Sequence, residues 1–141
     1  MKRKASAFWR GDLKAGRGTI STESGVLKET QYSFGTRFEN GIGTNPEELI
    51  GAAHAGCFSM ALSAELQKAG FTADSISTTA TVNLENVPQT SWTVTKIHLE
   101  TAAKIPSISP EKFSEIANGA KAGCPISRLL KAEITLDAKL V

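Results

Sequence analysis

The stretch Asn45–Leu62 reads NPEELIGAAHAGCFSMAL, and it decides the fold. Asn45 is a preferred N-cap residue, and Pro46 suits the first helical position. Glu47 and Glu48 fall at the positive end of the resulting helix dipole. From Leu49 to Leu62 the only polar residues are His54 and Ser59. The pattern runs on to Ala69, where Gly70 supplies a C′ stop. It predicts one long helix from Pro46 to Ala69. A helix apolar around nearly its whole circumference is expected to be buried. The small residues Gly51, Ala52, Ala53, Ala55, Gly56 and Ala61 would let other backbones approach it closely. It reads as the central helix of the fold.

Before it lie short strand signals: Phe8-Trp9 ahead of Gly11-Asp12, Gly18 to Thr22 around Ile20, and Val26-Leu27 after the Ser24-Gly25 turn. Tyr32 to Phe38 alternates as a further strand, with Arg37 near its end, until Gly41-Ile42-Gly43 breaks it. After the helix, Ile76–Leu84 and Trp92–Ala102 alternate and are joined through Asn86–Ser91 as an antiparallel pair. Ser109-Pro110-Glu111 starts a second helix with Phe113, Ile116, Ala117 and Ala120 on its apolar face, and a short third helix follows Pro125. Glu133–Val141 closes the chain as a strand with Ile134, Leu136, Ala138 and Leu140 inward. The class is α+β, helices against antiparallel sheet. No repeat or linker divides the 141 residues, so one domain, 1–141, is expected.

Apolar residues at 40% and charged residues at 21% are ordinary globular usage. A net charge of +2, with basic residues scattered among acidic ones, gives no footing for nucleic acid. The longest basic cluster, Lys2-Arg3-Lys4, reads as a solubilising end. Arg10, Asp12 and Lys14 interrupt the N-terminal region, so no secretory signal is expected. No stretch approaches the roughly 18 apolar residues of a membrane span. The expectation is a cytoplasmic protein without membrane contact, in a reducing compartment where two cysteines do not form a permanent disulfide. Two cysteines and two histidines without short ligand spacing give no metal site, and no cofactor is implied.

Cys57 lies mid-helix. It reads either as a small core residue or as a reactive thiol, and burial would raise its pKa unless a cation or strong donors stand nearby. Cys124, in Gly123-Cys124-Pro125, is placed as the N-cap of the third helix, where a helix dipole lowers a thiol pKa, or it is a turn residue without chemistry. Only tertiary structure would bring the two thiols together. His54, three positions before Cys57, shares its helix face and is a candidate base or a structural histidine. His98 reads as structural. Arg37 and Glu47 form either a bidentate pair that fixes a cation or a surface ion pair.

Taken together, Gly43–Leu62, Lys121–Ser127 (KAGCPIS) and Ile134-Thr135-Leu136 resemble the OsmC/Ohr superfamily of osmotically inducible and organic hydroperoxide resistance proteins. Trp9–Leu13 (WRGDL), Gly18-Thr19 and Ser21–Leu27 (STESGVL) resemble its OsmC branch. The resemblance covers nearly the whole chain. It implies an OsmC-like fold, an intertwined homodimer, a peroxidatic Cys57, a resolving Cys124, and Arg37 with Glu47 beside the reactive thiol. In the Ohr branch the arginine sits on an earlier loop, where Arg17 is the nearest candidate here. His54 stands where that branch has tyrosine, which argues against a universal base. The implied reaction reduces organic hydroperoxides, and hydrogen peroxide more weakly, to alcohols through a Cys57 sulfenic acid and a Cys57–Cys124 disulfide. An external dithiol of lipoyl type would reduce that disulfide, and no metal or organic cofactor takes part. The alternatives are a thiol-based oxidant sensor or stress-binding protein without efficient turnover, and a structural dimeric domain. Glu47 and Cys57, ten residues apart, lie about 15 Å apart on a straight helix. Either the helix breaks near Gly51 or Gly56, or a second copy supplies Glu47 and Arg37. A homodimer with composite sites is therefore expected.

Overall fold

Three short strands open the chain: β1 (Ala5–Arg10), β2 (Arg17–Thr22) and β3 (Thr30–Ser33), antiparallel in the order β1-β2-β3. Trp9 and Tyr32 are both register partners of Gly18, and their rings lie 5.3 Å apart. A Cβ on Gly18 would run into the Tyr32 ring, so glycine is what lets this aromatic pair close. Val26-Leu27 is not a strand. Leu27 is tied back to Thr22 by a backbone bond of 2.9 Å and by its N–H to Thr22 Oγ1 at 3.1 Å.

The strand expected over Tyr32–Phe38 stops at Ser33. There Ser33 Oγ accepts from Thr36 N–H (3.2 Å) and Thr36 Oγ1 accepts from Ser33 N–H (2.8 Å), a reciprocal capping box that starts a one-turn helix, α1 (Phe34–Phe38). Arg37 is therefore in a helical turn rather than a strand. The computed structural model describes all 141 residues, which fall into two compact units, 1–49 and 50–141.

Helix α2 (Pro46–Lys68) runs 23 residues with no break at Gly51 or Gly56. Asn45 Oδ1 caps it by accepting from Glu48 N–H at 2.8 Å. Gly70, at φ 84°, ends it, with Phe71 N–H returning to Leu66 O at 2.9 Å. Its buried residues are Gly51, His54, Phe58, Leu62 and Leu66, one face only. Ala52, Ala53, Gly56, Met60 and Ala64 are exposed, so burial all round is not what a single chain has. The helix also contains an 18-residue window of mean hydropathy 1.3, long and apolar enough for a membrane span. Gly, Ser and His interrupt its apolar run without adding charge, which hides it from a count of consecutive apolar residues.

β4 (Ser75–Val87) and β5 (Ser91–Lys104) pair antiparallel from Ser75↔Lys104 to Val87↔Ser91, with a register shift at Asn83/Leu84. β4 alternates as read, with Ile76, Thr78, Ala80, Val82 and Leu84 on its inner face. α3 (Pro110–Gly123) and α4 (Pro125–Leu129) then lead to β6 (Glu133–Leu140). β6 pairs with β5 in parallel, Lys96↔Glu133 to Ala103↔Leu140, so this sheet is mixed rather than antiparallel. The helical connection supplies the crossover that parallel pairing demands. Ala138 is exposed, contrary to the alternation.

Phe58, Leu62 and Leu66 form the core of the second unit with Leu99, Ala103, Phe113, Ile116 and Cys124. Each large side chain so buried is worth about 2 kcal/mol. A Cβ on Gly51 would sit 3.3 Å from Ala80 O, so α2 lies close against β4 there. A relay of hydroxyls, Ser59 to Thr78 (2.8 Å), Thr78 to Thr101 (2.9 Å) and Thr101 to Ser77 O (3.2 Å), satisfies the polar groups beneath it.

Candidate active site

A residue that precedes proline is pushed out of helical geometry, and Cys124 obeys this at φ −58°, ψ 124°. It therefore ends α3, its N–H reaching Ala120 O at 2.9 Å, and opens α4 with Pro125 in the first turn. At this corner the Cys124 side chain is fully buried, while Gly123 and Pro125 are exposed. The corner brings Cys124 Sγ to 3.0 Å from Cys57 Sγ on α2. Both cysteines are free thiols, and Cys57 is half-buried. A disulfide needs the sulfurs about 1 Å closer.

In the neutral pair the Cys124 S–H donates to Cys57. Burial pushes the Cys57 thiol up, and the hydrogen bond with Cys124 raises it further, against a smaller lowering by Ile126 N–H. Burial is also the largest influence on Cys124 and acts upward. The bond from Cys57, both groups of Ser127 and the Ile126 N–H together outweigh it and leave the Cys124 thiol below its ordinary value. The sulfur closes no regular cap bond onto α4, and these groups act on its charge without one. Within this unit a first negative charge therefore rests on Cys124, with Cys57 donating to it. Cys57 needs a further cation to become the better nucleophile.

His54 does not pair with Cys57. It is fully buried, with Nε2 2.8 Å from Ser127 Oγ and with Nδ1 unpartnered. Burial holds its pKa below the usual value and keeps it neutral. In the sequence Ser127 stands out only as part of the KAGCPIS motif. Its link to His54 spans 73 positions, beyond any helical or strand spacing. His98 is a structural residue, with Nδ1 2.6 Å from Thr135 Oγ1 and Nε2 3.2 Å from Asp137.

In the first unit Arg37 and Glu47 form the fork expected of a bidentate pair, Nη2–Oε1 at 2.7 Å and Nε–Oε2 at 3.1 Å. The guanidinium carbon also stands 5.2 Å from the centre of the Phe38 ring. Trp9, Leu13, Tyr32, Phe34, Phe38 and Pro46 line, with Arg37, a cavity of about 310 Å³. Arg17 is exposed at the start of β2, makes no ion pair, and lines a separate, more polar cavity with Lys14, Ser33 and Glu39.

The profile of the family described as OsmC-like protein matches residues 38–139. Peroxiredoxin OsmC of Escherichia coli is 57% identical over 138 residues, 98% of this chain and 96% of that protein, and the Shigella flexneri protein of the same name matches equally. Among solved structures, an OsmC-like protein of Vibrio cholerae superposes with a TM-score of 0.78 at 17% identity, covering 98% of this chain and 99% of the other. The organic hydroperoxide resistance protein OhrB of Bacillus subtilis does so at 0.69 and 23%, covering 98% of each. At such identities the structures speak for the fold, and the sequence matches for the lineage. The chain belongs to the OsmC-like family, in the OsmC branch of the OsmC/Ohr superfamily.

Proposed function

We propose that the chain, acting as one domain over residues 1–141 in the cytoplasm, is a thiol peroxidase that reduces organic hydroperoxides to alcohols, and hydrogen peroxide more slowly. The observation that carries this reading is the 3.0 Å approach of Cys57 and Cys124. It joins a half-buried sulfur that peroxide can reach to a buried one that can close on it. Cys57 thiolate attacks the O–O bond, releases the alcohol and becomes a sulfenic acid. Cys124 then attacks that sulfur, the hydroxyl leaves as water, and an external dithiol of lipoyl type reduces the disulfide. Arg37, held by Glu47, supplies the cation that Cys57 lacks in its own surroundings. The aromatic cavity beside Arg37 favours an alkyl hydroperoxide over hydrogen peroxide, because it offers apolar surface to the organic group.

A homodimer fits the same reading. α2 is unbroken, so Glu47 and Cys57 remain about 15 Å apart along its axis. The exposed apolar face of α2 at Ala52, Ala53, Gly56, Met60 and Ala64 gives a second copy a surface to cover. The direct test is dithiol-dependent consumption of an alkyl hydroperoxide by wild type, Cys57→Ser and Cys124→Ser. Turnover lost in a folded Cys57→Ser, with Cys124→Ser reacting once and not recycling through a disulfide, supports the enzyme. Unchanged turnover in Cys57→Ser removes the assigned nucleophile. A wild type that reacts once and is not recycled by any dithiol marks a sensor instead.

A further inference from the structure

His54 is fully buried, and its ring pairs with Ser127 rather than with Cys57. A neutral imidazole carries one N–H. If that hydrogen were on Nδ1, a buried donor would stand unpartnered, since Nδ1 meets nothing. On Nε2 it is used in the 2.8 Å bond to Ser127 Oγ. Since an orphaned buried N–H is rarer than an orphaned acceptor, the tautomer in which Nε2–H donates and Ser127 accepts is favoured. With that lone pair engaged, the Ser127 hydroxyl hydrogen is free to point elsewhere. Ser127 is the third residue of α4, one turn from Cys124 at the N-cap, a spacing from which a side chain reaches back over the cap. Its hydroxyl is among the groups that favour the Cys124 thiolate. Successive donors polarise one another, so a fixed N–H behind the hydroxyl strengthens its hold on the charge in front.

We propose that His54 is a positioning residue for the resolving step: its Nε2–H orients the Ser127 hydroxyl toward Cys124 Sγ and readies Cys124 for attack on oxidised Cys57. This rests on the reading of Cys124 as the resolving thiol. In that step a lone pair of the Cys124 thiolate forms the S–S bond and the S–O bond of the sulfenic acid breaks. The departing hydroxide takes up a proton as water, and the imidazole stays neutral throughout, as its burial requires. His54 thereby acts on the second half of the cycle and leaves the attack on peroxide to Cys57.

The test is a single turnover of the full-length protein with one equivalent of tert-butyl hydroperoxide. Peroxide loss reports the first step, and loss of titratable thiols reports disulfide closure. Dimedone labelling with mass spectrometry reports sulfenic acid persisting on Cys57. His54→Leu is expected to close the disulfide about five- to tenfold more slowly, the scale of one ordinary hydrogen bond. Peroxide loss should stay near the wild-type rate while dimedone adducts accumulate. Ser127→Ala should show the same defect, the double variant should be no worse than either, and His54→Gln, whose amide places an N–H near the Nε2 position, should recover most of the rate. Ser127→Ala carries the test if His54→Leu does not fold. Wild-type closure rates in Ser127→Ala, or equal slowing of both steps in His54→Leu without rescue by His54→Gln, overturn the proposal. If wild type consumes peroxide yet never closes a Cys57–Cys124 disulfide, the reading of Cys124 has failed and this proposal falls with it.

Discussion

In the proposed reaction Cys57 and Arg37 divide the chemistry of the first step, and each depends on a partner for its state. Burial raises the Cys57 thiol, so a thiolate there needs a cation, and the Glu47 carboxylate holds the Arg37 guanidinium in one orientation through the two bonds of one fork. Arg37→Ala is therefore expected to slow peroxide loss at least tenfold, or about 1.4 kcal/mol in the barrier. Lysine cannot reproduce the fork, so Arg37→Lys should be nearly as slow. Neither change should move the urea midpoint far, because the Arg37 side chain is 36% exposed and such pairs add little stability. Slowing confined to Arg17→Ala would transfer the role to Arg17. His54 makes a separate statement about stability. Its folded pKa is depressed by burial, so below about pH 6.5 the unfolded chain binds the extra proton more readily. Stability present above that pH is lost on acidification. The wild-type urea midpoint should fall between pH 7 and 5, and His54→Gln should show a smaller fall. An identical pH slope in both proteins would mean that His54 is not held neutral. The mid-helix place of Cys57 and the N-cap place of Cys124 before Pro125 are legible in the sequence. The partnership of His54 with Ser127 is not, because only the packing of α4 against α2 creates it.

Elements were legible where one local rule acted alone. α2 and α3 carry cap, proline and stop signals that agree with their apolar pattern, and β4 alternates over its whole length. Competing rules hid the rest. Tyr32–Phe38 alternates as a strand would, yet the Ser33–Thr36 capping box turns it into helix within one residue. The direction of β6 depends on where α3 and α4 return the chain, which no pattern inside β6 records. The Asn45 cap is the local rule easiest to test. Its Oδ1 receives Glu48 N–H at 2.8 Å, while its Nδ2 donates to Thr36 O at 3.1 Å. Asn45→Ala should cost about 1 kcal/mol in urea unfolding, and Asn45→Asp should retain the cap bond but lose the donor to Thr36. An Asn45→Ala protein as stable as wild type would show that this cap contributes nothing to α2.

At the scale of the whole molecule, the central question is what covers α2. Its core-facing residues are committed to the second unit, yet Met60 remains 76% exposed on the opposite side, among alanines and Gly56. Apolar surface arranged along one helix face is costly in water and suits a flat, close contact with another helix. An isologous contact would pair this face with itself, so one substitution changes both sides of the interface at once. Light scattering of the wild type is expected to give twice the 15.0 kDa of one chain. Met60→Glu should place two like charges near the two-fold axis and shift the protein toward monomer, with a concentration-dependent loss of peroxidase activity. The dissociated chain should retain its helix content, since Met60 is not a core residue. If Arg37 and Glu47 reach Cys57 from the second copy, mixing excess Cys57→Ser protein with Arg37→Ala protein should restore activity through mixed dimers that hold one intact site. No recovery from dimers proven to exchange subunits would place Arg37 and Cys57 of each site in the same chain.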